Sequence, residues 1–295
     1  MCAQGFGSSS RLRNEYRGRI APTPTGFLHL GHARTFWQAH RRAFENHGKI
    51  IMRIEDLDPA RSKPEFVTAG IEDLRWLGMR WDEGPDRGGD YGPYLQSQRT
   101  QHYRSVLERL IEIRAVYRCY CSRKDILAAA QAPHSSEEGP IYPGTCRANM
   151  GLGDCDAVGR APCWRFKVAD GRRVSFQDGK YGSVGFTGGV DFGDFVVWRQ
   201  DDVPAYQLAV SVDDHEMGIT EVVRGKDLLV STCRQILIYE ALNWTIPAFF
   251  HCPLLTDGDG VRLSKRSSSM GIRDFRSQGW SPERIREEIF GSDDV

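Results

Sequence analysis

Two hydrophobic patterns alternate along this chain. Compact apolar runs predict buried strands, and apolar residues recurring three and four apart predict amphipathic helices. Lys49-Ile-Ile-Met-Arg-Ile54, following Gly48, is a run of the first kind. Ala33 to Phe44 is of the second kind, with Phe36, Ala39, Ala43 and Phe44 on or near one face. With Arg19-Ile-Ala21 in front, these segments predict strand, helix, strand: a βαβ unit. Further helices are predicted over 65–77, 98–113 and 231–242, and further strands over 164–168, 174–177, 195–198 and 219–223. Residues 206–212 are apolar and expected to be buried.

Composition narrows the class. A chain of 295 residues suits one large domain, or a domain carrying an insertion. Residues 130–160 are rich in Pro, Gly, Ser and acidic side chains, which suggests an irregular insertion. Residues 1–17 are polar and read as a disordered leader with no apolar signal region. Lys plus Arg and Asp plus Glu both total 39, so a nucleic-acid partner would need a local basic patch. Arg262, Lys265, Arg266 and Arg273 are the candidates for such a patch. No run reaches membrane-spanning length, so no membrane partner is expected. Without a secretion signal, the eight cysteines should be reduced thiols or metal ligands in a cytoplasmic setting.

Three segments carry candidate chemistry. Pro22, Pro24 and Gly26 break regular structure ahead of His29-Leu-Gly31-His32, which places both histidines at a helix N-terminus. Unpaired N–H groups there form a natural phosphate seat, and Gly31 leaves room for an adenine ring to approach the backbone. Val261-Arg-Leu-Ser264-Lys265-Arg266 follows the turn-rich stretch 256–260, and Lys265 is a compact cation suited to leaving pyrophosphate. Cys119, Cys121 and Cys146 are three thiols that a hairpin could converge, which suggests tetrahedral zinc. On chemistry alone, His134, Cys155 and Cys163 are all possible fourth ligands.

The His29-Leu-Gly-His32 and Leu263-Ser-Lys-Arg266 pair, in that order, resembles the two signature motifs of class I aminoacyl-tRNA synthetases. The resemblance implies catalytic roles for His29, His32 and Lys265, and an ATP site of His29, Gly31, His32, Ser264 and Lys265. Arg19-Ile-Ala-Pro-Thr23, Arg53-Ile-Glu-Asp-Leu-Asp58, Tyr206-Gln-Leu-Ala and Val223-Arg-Gly-Lys-Asp-Leu228 resemble the glutamate-binding segments of glutamyl-tRNA synthetases. That implies an L-glutamate site of Arg19, Ile20, Ala21, Pro22, Thr23, Glu55, Tyr206 and Arg224. Two guanidinium groups suit the two carboxylates of glutamate, and Glu55 suits its ammonium. The spacing Cys119-x-Cys121 then Tyr142-x-x-x-Cys146 is similar to that of the glutamyl-queuosine tRNA(Asp) synthetases, which implies Tyr142 as the fourth ligand of one structural Zn²⁺.

The last resemblance covers roughly residues 17–288. It implies an α/β fold: a doubly wound, parallel Rossmann-type sheet in two halves, 18–114 and 166–295, around a zinc-bearing insertion at 115–165. It also implies a monomer that takes ATP with Mg²⁺, L-glutamate and queuosine-containing tRNA(Asp). The segment after the lysine motif is too short for a helical anticodon-binding domain, which favours that family over standard glutamyl-tRNA synthetases. Two alternatives stay open: a truncated glutamyl-tRNA synthetase charging the tRNA 3′ end, and a catalytically silent tRNA-binding module.

Overall fold

The computed structural model describes residues 15–122, 124–126, 141–147, 161–255 and 271–291. Strand β1 (Arg17–Ile20) pairs in parallel with β2 (Lys49–Met52), and helix α1 (Leu30–Glu45) connects them, as the βαβ pattern predicts. The buried face of α1 includes Ala33, Phe36, Ala39 and Ala43. Phe44, expected on that face, is 78% exposed. One residue turns a helix by about 100°, so the position after Ala43 falls beyond the edge of the stripe. A Cβ on Gly48 would lie 2.3 Å from the Tyr16 carbonyl oxygen, so only glycine lets the chain enter β2 this close to β1. Within the segment expected as a leader, Arg17 belongs to β1, and the Tyr16 hydroxyl donates to Glu221 at 2.6 Å. Residues 1–14 of the expected leader lie outside the described residues.

On the far side of β1 lies β8 (Glu221–Gly225), where the Thr220 amide donates to the Arg17 carbonyl at 2.9 Å. Strand β8 is parallel to β9 (Ala248–Cys252), which meets β5 (Arg173–Asp178) in parallel at Asp178 and Phe249. An antiparallel hairpin of β5 with β6 (Gly182–Thr187) forms the edge. Asp178 fixes its turn by accepting the Lys180 and Tyr181 amides at 3.0 and 2.9 Å. The ladders run β2-β1 and β8-β9-β5-β6, and the Thr220–Arg17 bond sets β8 beside β1, so strands leave β1 and β8 in opposite directions. Open α/β sheets bind ligands at such a switch point, outside the carboxyl ends of the strands.

Helices cover both sides. Helix α2 (Pro64–Trp76) and the C-terminal α6 (Ile272–Ser277) and α7 (Pro282–Ile285) share a core with α1 through Leu74, Ile272, Phe275 and Ile285. Helices α3 (Thr100–Glu112), α4 (Tyr206–Glu216) and α5 (Leu229–Leu242) bury Leu110, Leu208, Val212 and Ile236 with Val222 and Phe249. The expected burial of 206–212 holds for Leu208 to Val212, while Tyr206 itself is 36% exposed. A separate antiparallel sheet joins β3 (Val116–Cys119), β4 (Cys163–Phe166) and β7 (Phe195–Trp198), with Cys119 opposite Cys163. Among the described residues, no helix is long and apolar enough to cross a membrane.

Candidate active site

His29 is the residue before α1, and Gly31 and His32 lie in its first turn, all exposed. No acidic side chain stands in that turn, so its N–H groups and the positive end of the helix dipole face the opening. The two imidazole centroids are 6.1 Å apart. Among the described residues, a Cβ on Gly31 would meet nothing within 4 Å, so none of them fills this side of the helix end. Ser264 and Lys265 lie outside the described residues, as do Arg262 and Arg266. The chain following them returns to the histidine turn: Gly271 bridges His29, and the Ile272 amide donates to the Leu28 carbonyl at 3.1 Å. Arg273, a candidate RNA contact, is committed to Asp73 and Glu72 at 3.1 and 2.8 Å.

The glutamate-site candidates gather at the carboxyl ends of β1, β2 and β8. Arg19 and Arg224 are each 4% exposed, and Glu55 is 9% exposed. Ile20 is buried, Ala21 and Pro22 are half-buried, and Thr23 is exposed. Arg19 donates to the Val223 carbonyl at 2.8 Å and faces Asp214 at 3.5 Å. Glu55 accepts from Arg53 at 3.0 Å, and burial raises its pKa above the ordinary carboxylate value against the pull of Arg53 and Arg19. The Tyr206 phenol is also raised, first by burial and then by Glu55, with Arg224 and Arg19 opposing. Four predicted side chains therefore share one electrostatic environment.

Beneath them lies a charged network that the sequence reading missed. Arg53, fully buried, donates to Asp214 at 2.6 Å and faces Asp213 at 3.6 Å. Asp213 also accepts from Arg99 at 2.6 Å, Gln96 at 2.7 Å and the Tyr103 hydroxyl at 3.0 Å. Removing one member of such a network strands a buried charge, at a cost of about 3–5 kcal/mol. Two adjacent acids inside the largely apolar helix α4 were the available signal. The Tyr239 hydroxyl is buried beside this network without a hydrogen-bond partner.

A second constellation lies beyond β3. The Sγ atoms of Cys119, Cys121 and Cys146 lie within 4.8 Å of one another, a group that could hold a metal ion. Cys121 and Cys146 sulfurs are 3.6 Å apart. The Tyr142 hydroxyl sits between them, 3.4 Å from Cys119, 3.6 Å from Cys121 and 2.8 Å from the Cys146 amide. Arg165 donates to the Cys119 sulfur at 3.2 Å and stacks over the Tyr142 ring at 4.1 Å. Cys163 falls outside this group, while His134 and Cys155 lie outside the described residues. The described cysteines are all free thiols.

A doubly wound sheet and a histidine-bearing helix end at its switch point agree with what known proteins show. The family described as class I tRNA synthetases (E and Q), catalytic domain, matches residues 15–290, and the chain belongs to that family. Within it, the chain is 50% identical to the Glutamyl-Q tRNA(Asp) synthetase of Symbiobacterium thermophilum, an alignment covering 91% of this chain and 83% of that one. It is 48% identical to the Glutamyl-Q tRNA(Asp) synthetase of Nitratidesulfovibrio vulgaris, covering 89% of this chain and 82% of that one. The solved glutamate-tRNA synthetase of Elizabethkingia anophelis is similar with a TM-score of 0.74 at 30% identity, covering 90% of this chain and 54% of that one. The chain thus spans about half the length of that solved synthetase.

Proposed function

We propose that this chain activates L-glutamate with ATP and transfers the glutamate to the queuosine base of tRNA(Asp). The observation that carries the activation step is Arg224: a buried guanidinium at the switch point whose hydrogen-bond partners are all neutral. A buried charge without a counter-ion is costly, and a ligand carboxylate supplies one in bidentate fashion. Arg19 takes the second carboxylate contact and Glu55 the ammonium. Tyr206 donates its phenol, and Ile20, Ala21, Pro22 and Thr23 supply the backbone wall. The transfer to queuosine rests on the two Glutamyl-Q tRNA(Asp) synthetases, about half identical along most of both chains.

In the activation step, an α-carboxylate oxygen of glutamate attacks the α-phosphorus of ATP. The bond to the bridging oxygen breaks, and pyrophosphate leaves with its electron pair. His29, His32 and the free N–H groups of α1 stabilise the charge that develops on phosphate oxygens. Ser264 and Lys265 are assigned to the same phosphates, and Mg²⁺ bound with ATP shares their charge. Adenine lies against the open side of Gly31. A queuosine hydroxyl then attacks the adenylate carbonyl and releases AMP.

The cysteine cluster is proposed to hold one structural Zn²⁺ through Cys119, Cys121, Tyr142 and Cys146. Bond lengths near 2.3 Å to sulfur and 2.0 Å to oxygen give tetrahedral edges of about 3.8 Å between sulfurs and about 3.5 Å from sulfur to oxygen. The observed separations of 3.6 Å (Cys121 to Cys146), and 3.4 and 3.6 Å from Tyr142, fit those edges. The buried Arg165 offsets the negative charge that three thiolates bring.

The test is charging of tRNA(Asp) with and without queuosine, using tRNA truncated at its 3′ end. Glutamylation of the truncated, queuosine-containing tRNA is expected. Complete loss on truncation would favour charging of the 3′ terminal ribose instead.

A further inference from the structure

Arg224 is oriented entirely by acceptors that carry no charge. Its Nη1 donates to Gln235 Oε1 at 2.8 Å, its Nη2 to Thr232 Oγ1 at 2.6 Å, and its Nε to His251 Nε2 at 3.2 Å. Gln235 is turned toward it because the Gln235 amide nitrogen donates to Gln207 at 3.0 Å. A guanidinium has five N–H groups. These acceptors take three, and the neutral Tyr206 phenol is a further hydrogen-bond partner of the guanidinium, so a ligand carboxylate would take what remains alongside Tyr206.

His251 can serve as acceptor in only one tautomer. Its Nδ1 lies 2.6 Å from Asp178 Oδ2, and its backbone amide also donates to that carboxylate at 3.2 Å. Asp178 accepts two further amides at the β5–β6 turn, so it stays ionised and takes the Nδ1 proton's hydrogen bond. The Nε2 lone pair is thereby left facing Arg224 and Thr232. Burial and the neighbouring Arg224 hold the imidazole pKa down to about 4, against the pull of Asp178, so the ring is neutral at physiological pH. His251 also stands between a carboxylate and a guanidinium. Without it, Asp178 could approach Arg224 and consume the charge that a substrate carboxylate is to meet.

We infer that His251, its tautomer fixed by Asp178, is a positioning residue that aims Arg224 at the side-chain carboxylate of the amino acid and so sets the preference for glutamate over glutamine. The inference rests on the glutamate site proposed above. Glutamine presents an NH₂ donor where the aimed guanidinium offers donors only, so the mismatch is felt only while Arg224 is held in place.

The experiment measures amino-acid-dependent ATP–pyrophosphate exchange for wild type, H251F, H251Q and D178N, with glutamate and with glutamine, together with the melting midpoint of each. H251F keeps the volume and removes the acceptor. It is expected to raise the glutamate KM at least about tenfold and to cut the glutamate-over-glutamine ratio by a similar factor, with kcat changed much less. H251Q places a carbonyl oxygen near the Nε2 position and should recover most of both. D178N keeps the turn but offers an NH₂ to Nδ1, which drives the proton to Nε2, donor against donor. It should lose discrimination as H251F does, and it reads the inference even if H251F fails to fold. Altered melting with unchanged KM and discrimination, or an H251Q as impaired as H251F, would overturn the inference alone. A wild type that exchanges no pyrophosphate with glutamate would overturn the functional reading and this inference with it.

Discussion

At the end of β8, Arg224 is buried among a histidine, a glutamine and a threonine, none of them negatively charged. At the end of β3, Cys119 and Cys121 meet Cys146 and Tyr142 donor to donor, with a buried arginine alongside. The first arrangement gives the guanidinium no negatively charged partner, which suits the exchangeable carboxylate proposed above. The second brings three thiols and a phenol together at one point, which suits the resident cation proposed above. On the proposed reading, exchangeable and resident guests are distinguished by what the protein leaves unsatisfied: net charge in the crevice, coordination in the cluster.

Replacing Arg224 by Leu should give the largest effect. Loss of a buried charged contact to substrate is worth about 2–5 kcal/mol, so kcat/KM for glutamate should fall by a few hundredfold, with zinc content unchanged. A fall of less than about tenfold would break the assignment of the crevice to a carboxylate. Lys265→Ala should cut the exchange rate on the order of a hundredfold, as for loss of one preorganised charge at the transition state. A near-normal rate removes Lys265 from the mechanism.

The cluster should respond to metal rather than to substrate. Purified protein is expected to hold about one zinc per chain, and chelation should lower the melting midpoint by at least about 5 °C. Metal-free protein with unchanged melting and full activity contradicts the resident cation. Gly31→Ala sharpens the other side of the comparison. Beyond its own helix and chain neighbours, no atom of the described residues lies within 4 Å of the added methyl group, so folding should be untouched while KM for ATP rises by up to about tenfold. An unchanged KM would place the nucleotide elsewhere.

The smallest effect concerns acid. His251 titrates at about 4, below its ordinary value, because it is buried beside Arg224 and Arg19 despite Asp178. The unfolded chain therefore binds this proton first, and the stability from a neutral His251 is full above about 6.5 and erodes as pH falls toward 4. Melting curves between those values should be less pH-dependent in H251F than in wild type. Equal slopes would mean that the imidazole is not held neutral by the fold.

Much of the crevice was legible in the sequence because its parts are local. The Pro-rich turn before His29, the apolar run 49–54 and the acid at Glu55 are each read within a dozen residues. The structure adds what pairing across the chain decides. Arg53 meets Asp214, Arg99 meets Asp213 and Asp178 meets His251, partners more than seventy residues apart with no periodicity to announce them. His251 sits in an apolar strand where a histidine looks unremarkable, and its importance comes only from the two strands on either side. Phe44 shows the opposite limit: a helical stripe has an edge, and a residue one position past it faces solvent. In the cluster, spacing pointed to the cysteines, while the place of the Tyr142 hydroxyl among them needed the fold.

The central claim is that an uncompensated guanidinium at the switch point selects glutamate for adenylation. It is tested most directly by ATP–pyrophosphate exchange in the absence of tRNA, run in parallel with glutamate, glutamine and aspartate. The account predicts exchange that depends on glutamate and is at least about a hundredfold weaker with the other two, since glutamine lacks the second carboxylate and aspartate fails to reach both arginines. No exchange with glutamate, alongside exchange with another amino acid, would contradict it.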